Sequence, residues 1–377
     1  MIYLDNAATT YPKPRDVVEA VSDCILRIGG NPGRGAHAAS LRAAEAVYDA
    51  RCEVADFLGV SDPASIIFTP NATFALNLAI SCRVRRGDHI LLSDREHNAA
   101  FRPVVRLMET GVADYSVYSG SGDVLANIRK KETKRTSILI CNPVSNVTGN
   151  HLPIREIAAY AKARGFYLIL DGAQWIGHGA PNRDVVGLAD AIAVPGHKAL
   201  YGIQGSGFLY LKSAEGNAPF LLGGSGSDSA NPDMPETLPE RYEAGTLSTP
   251  AIVSLAAGIR FIRRIGVDKI ADRETRLTNY ARERMSRVRG VTIYGDEMHT
   301  SAVLSFLEDG VPPEETARRL DRAGIAVRAG LHCAPLIHRA LGTFPTGTVR
   351  ASFGVFNTED DVDALVSALS KQTNIKI

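Results

Sequence analysis

Two short clusters in this 377-residue sequence carry residue types that chemistry can use. Asp171-Gly172-Ala173-Gln174 directly follows the apolar run FYLIL (166–170), and Pro195-Gly196-His197-Lys198 follows the run AIAV (191–194). Both runs read as buried strands, so the acid and the lysine emerge at strand carboxyl ends, where the ligands of α/β sheets collect. An acid there also serves as a helix cap, and a lone lysine is ordinarily a solvated charge. Taken together they suggest one cleft that offers a carboxylate and an amine. That pair fits pyridoxal 5′-phosphate: the amine holds the cofactor's aldehyde as a Schiff base, and the aspartate keeps its pyridine nitrogen protonated. A protonated ring is the better electron sink for charge released at a substrate Cα.

Two further clusters point the same way. Asn71-Ala72-Thr73 follows the run IIFT (66–69) and opens a helical stretch. Backbone N–H groups at a helix N-terminus, with a hydroxyl beside them, suit a phosphate, although a simple N-cap accounts for the same residues. The other cluster is Arg328-Ala329-Gly330-Leu331-His332-Cys333-Ala334-Pro335. A cysteine in a loop bounded by glycine and proline is a poor core residue, which makes Cys333 the candidate reactive thiol. Cys24, Cys52, Cys82 and Cys141 are expected to be packing residues. His332 and His338 lie near Cys333, but no second cysteine or paired spacing closes a zinc site, so no metal is expected.

These residues need a scaffold. Short apolar β-branched runs at 66–69, 89–93, 114–118, 137–141, 166–170, 191–194 and 207–211 alternate with helical stretches such as 153–164. The alternation predicts an α/β fold, a largely parallel sheet covered on both faces. Ser40 is expected to cap a helix whose buried face is Leu41, Ala44, Tyr48, Cys52 and Ala55. Residues 213–249 read as a long loop region, and 250–289 as a long helical one. A second unit has expected strands near 301–306, 325–328 and 348–353, with helices near 313–323 and from 359. Thr358 and Asp361 resemble a capping pair, ahead of the stripe Val362, Leu365, Val366 and Leu369. The expected division is a large domain at 15–255 and a small α+β domain at 256–377, with the arm 1–14 packed nearby.

Composition excludes several function classes. Hydrophobic residues at 45% and charged residues at 22% fit a globular chain with a sizeable core rather than a disordered one. With 42 basic against 41 acidic residues, wholesale attraction to nucleic acid or an anionic membrane is not expected. No basic start with an apolar run marks a signal peptide, and no stretch of about 18 apolar residues spans a bilayer. Five scattered cysteines suggest a reducing cytoplasm. A dinucleotide site has little behind it, because Gly223–Gly226 lies in the loop region and not between a strand and a helix.

The motifs together resemble the cysteine desulfurase/selenocysteine lyase family of the class V aminotransferase group, which are fold-type I pyridoxal phosphate enzymes. The resemblance runs through YLDNAATT at the start, NPGRGAH (31–37), EHNA (96–99), SNVTG (145–149), DGAQ, GHK, YEAGT (242–246), GLHCAP and TVRASFGVFNT (348–358). It implies that Lys198 carries the cofactor, Asp171 pairs with its pyridine nitrogen, Gln174 meets its phenolic oxygen and His97 stacks on the ring. The Ala72 backbone, Thr73 and His197 would hold the phosphate. Thr246 would reach the phosphate of a neighbouring subunit, which implies a homodimer. Asn146 and Arg350 would hold the substrate carboxylate, for which a planar guanidinium is suited.

The resemblance further implies conversion of L-cysteine to L-alanine, with Cys333 taking the sulfur as a persulfide for a possible acceptor protein. His332 is a candidate helper of that thiol. Selenocysteine lyase is the nearest alternative. Another class V transaminase or β-lyase is a further one, which would not need a loop thiol, and a silent scaffold requires that Lys198 be idle. Two departures stand out. Pro195 replaces the Ser or Thr of many relatives and removes a phosphate donor, which predicts looser cofactor binding. Leu331 stands where one branch has a histidine, and the loop around Cys333 is compact.

Overall fold

The computed structural model describes residues 1–370 apart from Arg34, Asp228 and residues 297–300. Arg34, within NPGRGAH, therefore lies outside the described residues. Among the described residues thirteen strands occur in chain order: β1 (Ile2–Tyr3), β2 (Ile66–Thr69), β3 (Asp88–Ser93), β4 (Ala113–Tyr118), β5 (Thr136–Cys141), β6 (Tyr167–Asp171), β7 (Ala191–Pro195), β8 (Gly207–Leu211), β9 (Val291–Tyr294), β10 (Val303–Glu308), β11 (Ile325–Ala326), β12 (Arg328–Gly330) and β13 (Thr348–Ser352). All seven runs expected between 66 and 211 form strands, and they make one sheet in the order β2-β8-β7-β6-β5-β3-β4. Only β8 runs against its neighbours; the pairs from β7 to β4 are parallel.

The sheet is buried on both faces, which is why its strands lack polar alternation. Leu91, Leu139, Leu168, Leu170, Ile192 and Val194 pack on one side. Their neighbours Ile90, Leu92, Ile138, Ile140, Ile169 and Ala193 pack on the other. Period-two alternation thus splits each strand between two apolar cores. The first core also takes in Ile252, Leu255, Ile259 and Ile262 of the helix Thr249–Ile265.

A second sheet has the order β12-β13-β10-β9 and is antiparallel. Beneath it Leu304, Phe306, Val349 and Ala351 meet Val362, Leu365, Val366 and Leu369 of the helix Glu359–Ser370. Asp361 accepts from the Thr358 backbone N–H at 3.0 Å, so the expected capping pair forms. β1 pairs in parallel with β11, Ile2 opposite Ile325, as a separate two-stranded sheet, and a bridge between Asp5 and Ser352 ties the chain's start to β13. No helix among the described residues is long and apolar enough to cross a membrane.

Three expectations need correction. The helical region after 249 is two helices, Thr249–Ile265 and Val267–Ser286, divided at Gly266 with φ +95°. The expected strand at 325–328 is two short strands in different sheets, β11 and β12. The helix Ala38–Leu58 starts at the His37 cap, and the Ser40 hydroxyl instead lies 2.7 Å from both Asn31 O and Gly33 O, with one proton to give them. Its inner face is Ala43, Val47, Ala50, Arg51, Val54, Ala55 and Phe57, so Ala55 is buried as expected while Leu41 is 53% and Tyr48 61% exposed. Arg51 faces inward because Glu243 meets it: both guanidinium nitrogens donate to the carboxylate at 2.8 Å, and Phe68 N donates to it at 2.6 Å. Cys52 consequently lies on the flank, half-buried, whereas Cys24, Cys82 and Cys141 are buried.

The helix Thr249–Ile265 crosses directly over the turn that follows β7. A Cβ added at Gly258 would overlap Leu200 O, a backbone atom that cannot swing aside. Gly258→Ala is expected to destabilise the fold by about 1–3 kcal/mol through overpacking. A lowered urea midpoint would show this, and an unchanged midpoint would mean the crossing has slack.

Candidate active site

The carboxyl ends of five strands converge on one cavity of about 250 Å³. β2 leads to Asn71, Ala72 and Thr73, and β3 to His97. β5 leads to Asn142 and Asn146, β6 ends on Asp171, and β7 leads to His197 and Lys198. The second sheet closes the far side with Arg328, His332, Cys333 and Arg350. Every site residue expected from the sequence lines this cavity except Thr246. Thr246 is exposed and borders a separate cavity with Tyr48, Arg51 and Glu243.

Local structure explains each placement. Asn71 caps the helix Ala72–Arg83 through its side-chain oxygen, which accepts from Phe74 N at 2.9 Å, leaving the first N–H groups of that helix at the cavity. Gly207 lets β8 pass close by, since a Cβ there would lie 3.1 Å from Asn71 Cα. His97 caps the helix Asn98–Glu109, its Nδ1 accepting from Ala99 N at 3.0 Å. Burial, then the cations Lys198, Arg350 and Arg102, push its pKa down to about 4. His97 is therefore a neutral ring with its free proton on Nε2.

Asp171 is fully buried and accepts from Ala173 N at 3.0 Å. Burial raises its pKa, while the Ala173 hydrogen bond and Lys198 oppose the rise. Burial likewise pushes Lys198 down to about 8; Asp171 holds it up, and Arg350 and Arg328 press it further down. The lysine is thus poised to offer a neutral amine near neutral pH. Gln174 donates through Nε2 to Ala7 O at 2.9 Å.

Arg350 donates to Asn146 O and to Asp5, both at 3.0 Å, and Arg328 donates to the other Asp5 oxygen at 3.1 Å. The two arginines face each other across β12 and β13, so Asp5 supplies the charge that lets them do so. Asn146 donates to His332 O at 2.7 Å.

The loop at Cys333 is held from three sides. His332 and Cys333 both adopt the left-handed region, φ +48° and +57°, a conformation costly for residues with a Cβ. Asn146 grips His332 O, and Cys333 O accepts from Asn98 N at 2.6 Å. The His332 ring is 8% exposed and its Nε2 lies 3.1 Å from Thr348 O, with burial driving its pKa well below the usual value. The ring is thus engaged with β13, where it braces the turn. Cys333 itself is exposed and lines the cavity.

Asp5, Glu96 and Asn142 were not singled out from the sequence as site residues. Asn142 shares the signal of the others, a polar residue just past a buried strand. Glu96, fully buried, accepts from Ser93 Oγ at 2.5 Å and Asn142 N at 2.8 Å, and burial pushes its pKa up to about 8. It joins the ends of β3 and β5 beneath His97.

The aminotransferase class-V family profile matches residues 2–365. The chain belongs to the class V aminotransferase family. It is 35% identical to a probable cysteine desulfurase of Methanothermobacter thermautotrophicus, over 98% of this chain and 94% of that one. Its fold matches the apo structure of the cysteine desulfurase from Thermococcus onnurineus NA1 with a TM-score of 0.92 and 33% identity, covering 98% and 94% of the two chains. It matches the cysteine desulfurase CsdA from Escherichia coli with a TM-score of 0.87 and 30% identity, covering 100% and 95%.

The electrostatics give a prediction for the apo-protein. Acylation of Lys198, followed by mass spectrometry of its peptide, should rise with pH through a midpoint at about 8. Asp171→Asn removes the charge that favours the ammonium, so the midpoint should move lower. A midpoint near that of an ordinary lysine, about 10.4, would contradict the desolvated pocket.

Proposed function

We propose that this protein is a cysteine desulfurase that uses pyridoxal 5′-phosphate, converts L-cysteine to L-alanine and receives the sulfur on Cys333 as a persulfide. The observation that carries the reading is one cavity lined at once by Lys198, Asp171, Arg350 and Cys333.

The residues fit the cofactor. Among the described residues, Gln174 Oε1, His197 Nδ1, Asn146 Oδ1 and Arg350 Nε are buried polar atoms with no hydrogen-bond partner in the protein. Such atoms are costly unless something bound satisfies them. Lys198 would hold the cofactor covalently and Asp171 would pair with its ring nitrogen. His97 would lie against the ring. The N–H groups at Ala72 and Thr73, the Thr73 hydroxyl and His197 would take the phosphate. Gln174 would meet the phenolic group through its unpartnered Oε1 or the second proton of Nε2, the first going to Ala7 O. Bound there, the cofactor supplies an aldehyde for the substrate amine and an electron sink for its Cα.

The chain's own residues do the rest. Arg350 presents Nε to the substrate carboxylate while Asp5 and Asn146 O fix its plane. Asn146 Nδ2 gives one proton to His332 O and keeps a second to donate to that carboxylate. The Lys198 amine, partly neutral near neutral pH, takes the proton from the substrate Cα. The Cys333 thiolate attacks the substrate sulfur. An S–S bond forms at Cys333, and the C–S bond breaks with its electron pair left on the three-carbon skeleton. That skeleton takes up two protons, one at the carbon that lost the sulfur and one back at Cα from Lys198, and leaves as alanine.

Thr246 lies outside the cavity beside the exposed Tyr48, and we place both at the contact of a homodimer in which Thr246 reaches the phosphate site of the partner. Five unpaired cysteines suit a reducing cytoplasm. The persulfide sulfur would pass to a protein acceptor docking at the exposed Cys333.

The test is a purified protein incubated with cofactor and cysteine, with and without a thiol reductant, assayed for alanine. Cys333→Ala should keep the cofactor's visible absorbance and lose alanine formation by at least about 100-fold, the order expected when a covalent nucleophile is removed. Lys198→Ala should lose both. Full activity in Cys333→Ala with cysteine would refute the persulfide step, and activity confined to selenocysteine would transfer the assignment to a lyase. Pro195→Ser adds a hydroxyl beside the phosphate site and should tighten cofactor binding by about three- to tenfold, measured as a dissociation constant. Unchanged affinity would show that the proline leaves no donor missing.

A further inference from the structure

The mechanism above makes no use of Lys13, a half-buried lysine in the N-terminal arm. Its ammonium donates to His197 O at 2.9 Å and to Thr10 Oγ1 at 2.8 Å. Burial alone accounts for its pKa, lowered to about 8, with no carboxylate acting on it. A desolvated cation without a counter-charge is unfavourable, so its setting needs a reason.

His197 O is the carbonyl directly before Lys198. It accepts from Thr9 Oγ1 at 3.0 Å and Thr10 N at 3.1 Å, as well as from Lys13. Thr10 Oγ1 lies 3.2 Å from His197 O and 3.1 Å from Lys198 O and has one proton to give. The arm therefore grips the carbonyls on both sides of the Lys198 Cα. Satisfying a carbonyl needs at most two neutral donors, which Thr9 and Thr10 N already provide. What Lys13 adds is charge, which roughly doubles the strength of a hydrogen bond. A peptide unit is planar, so fixing the His197 carbonyl fixes the plane that ends at the Lys198 Cα, and with it the direction in which that side chain departs.

Resting on the proposed function, we infer that Lys13 is a positioning residue for the Lys198 amine, acting through the His197 carbonyl and touching neither cofactor nor substrate. Asp5 in the same arm holds Arg350, so residues 5–13 set the amine and the carboxylate-binding arginine against one another.

The test compares wild type, Lys13→Met and Lys13→Arg. Two quantities are read: the rate at which apo-protein captures pyridoxal phosphate, trapped on Lys198 by borohydride and located by mass spectrometry, and kcat and KM for cysteine. Lys13→Met keeps the length and loses the charge. It should slow capture and lower kcat by about tenfold, the effect of one charge-assisted hydrogen bond, with KM changed less than about twofold. Lys13→Arg should restore most of both. Wild-type rates in Lys13→Met would overturn the inference, as would a folded Lys13→Arg as slow as Lys13→Met. If Lys13→Met does not fold, Thr9→Val removes a neutral donor from the same carbonyl, and unaltered capture in that variant also overturns it. A wild-type protein that captures no cofactor would instead refute the proposed function itself.

Discussion

The site is built on charges taken out of water beside an opposite charge, Lys198 with Asp171 and Arg350 with Asp5. Asp171 and Lys198 come from the ends of adjacent parallel strands, and Arg350 and Arg328 oppose each other across an antiparallel pair. Burial pushes Asp171, Lys198 and Arg350 toward their neutral forms. The Ala173 hydrogen bond and the Lys198 charge keep Asp171 from rising further, and Asp171 with Asp5 keeps Lys198 from falling further. Without Asp171 the buried Lys198 amine would have less to hold its charge, and without Asp5 Arg350 would be a buried cation lacking its carboxylate. The arm carrying Asp5 is part of this balance, because its carboxylate lies between the two arginines.

That constraint explains the elements far from the chemistry. The large sheet sets Asp171 and Lys198 side by side because β6 and β7 are in register, Asp171 opposite Ala193. The small sheet brings Arg350 and the cysteine loop to the same cavity through β12 and β13. The left-handed backbone at His332 and Cys333 is held by Asn146, by Asn98 N and by the His332 ring on Thr348. Those ties come from both halves of the molecule. A thiol at the cavity is thus a consequence of how the two sheets are joined.

Much of this was legible in the sequence. Doubly buried strands have no polar alternation, so FYLIL and AIAV announce themselves, and the polar residue after each must then lie at a strand end. The helix Ala38–Leu58 was misread because its inner stripe contains Arg51, whose buried pairing with Glu243 joins residues far apart in the chain. No periodicity rule reports such a pair. Leu41 and Tyr48 looked like core because apolar residues that stay exposed on a single chain have the same pattern. Asp5 and Glu96 were missed as site residues because their roles come from long-range contacts, Asp5 with β12 and β13 and Glu96 with the end of β5. His332 invited a role beside the thiol by adjacency, whereas the left-handed turn sends its ring to β13.

The most direct measurement is a single turnover with one equivalent of isotopically labelled cysteine, quenched by alkylation and digested for mass spectrometry. The account predicts one labelled sulfur atom added to the peptide that contains Cys333, in step with the alanine formed. Alanine produced with the label free in solution, or on Cys24, Cys52, Cys82 or Cys141 and not on Cys333, would contradict it.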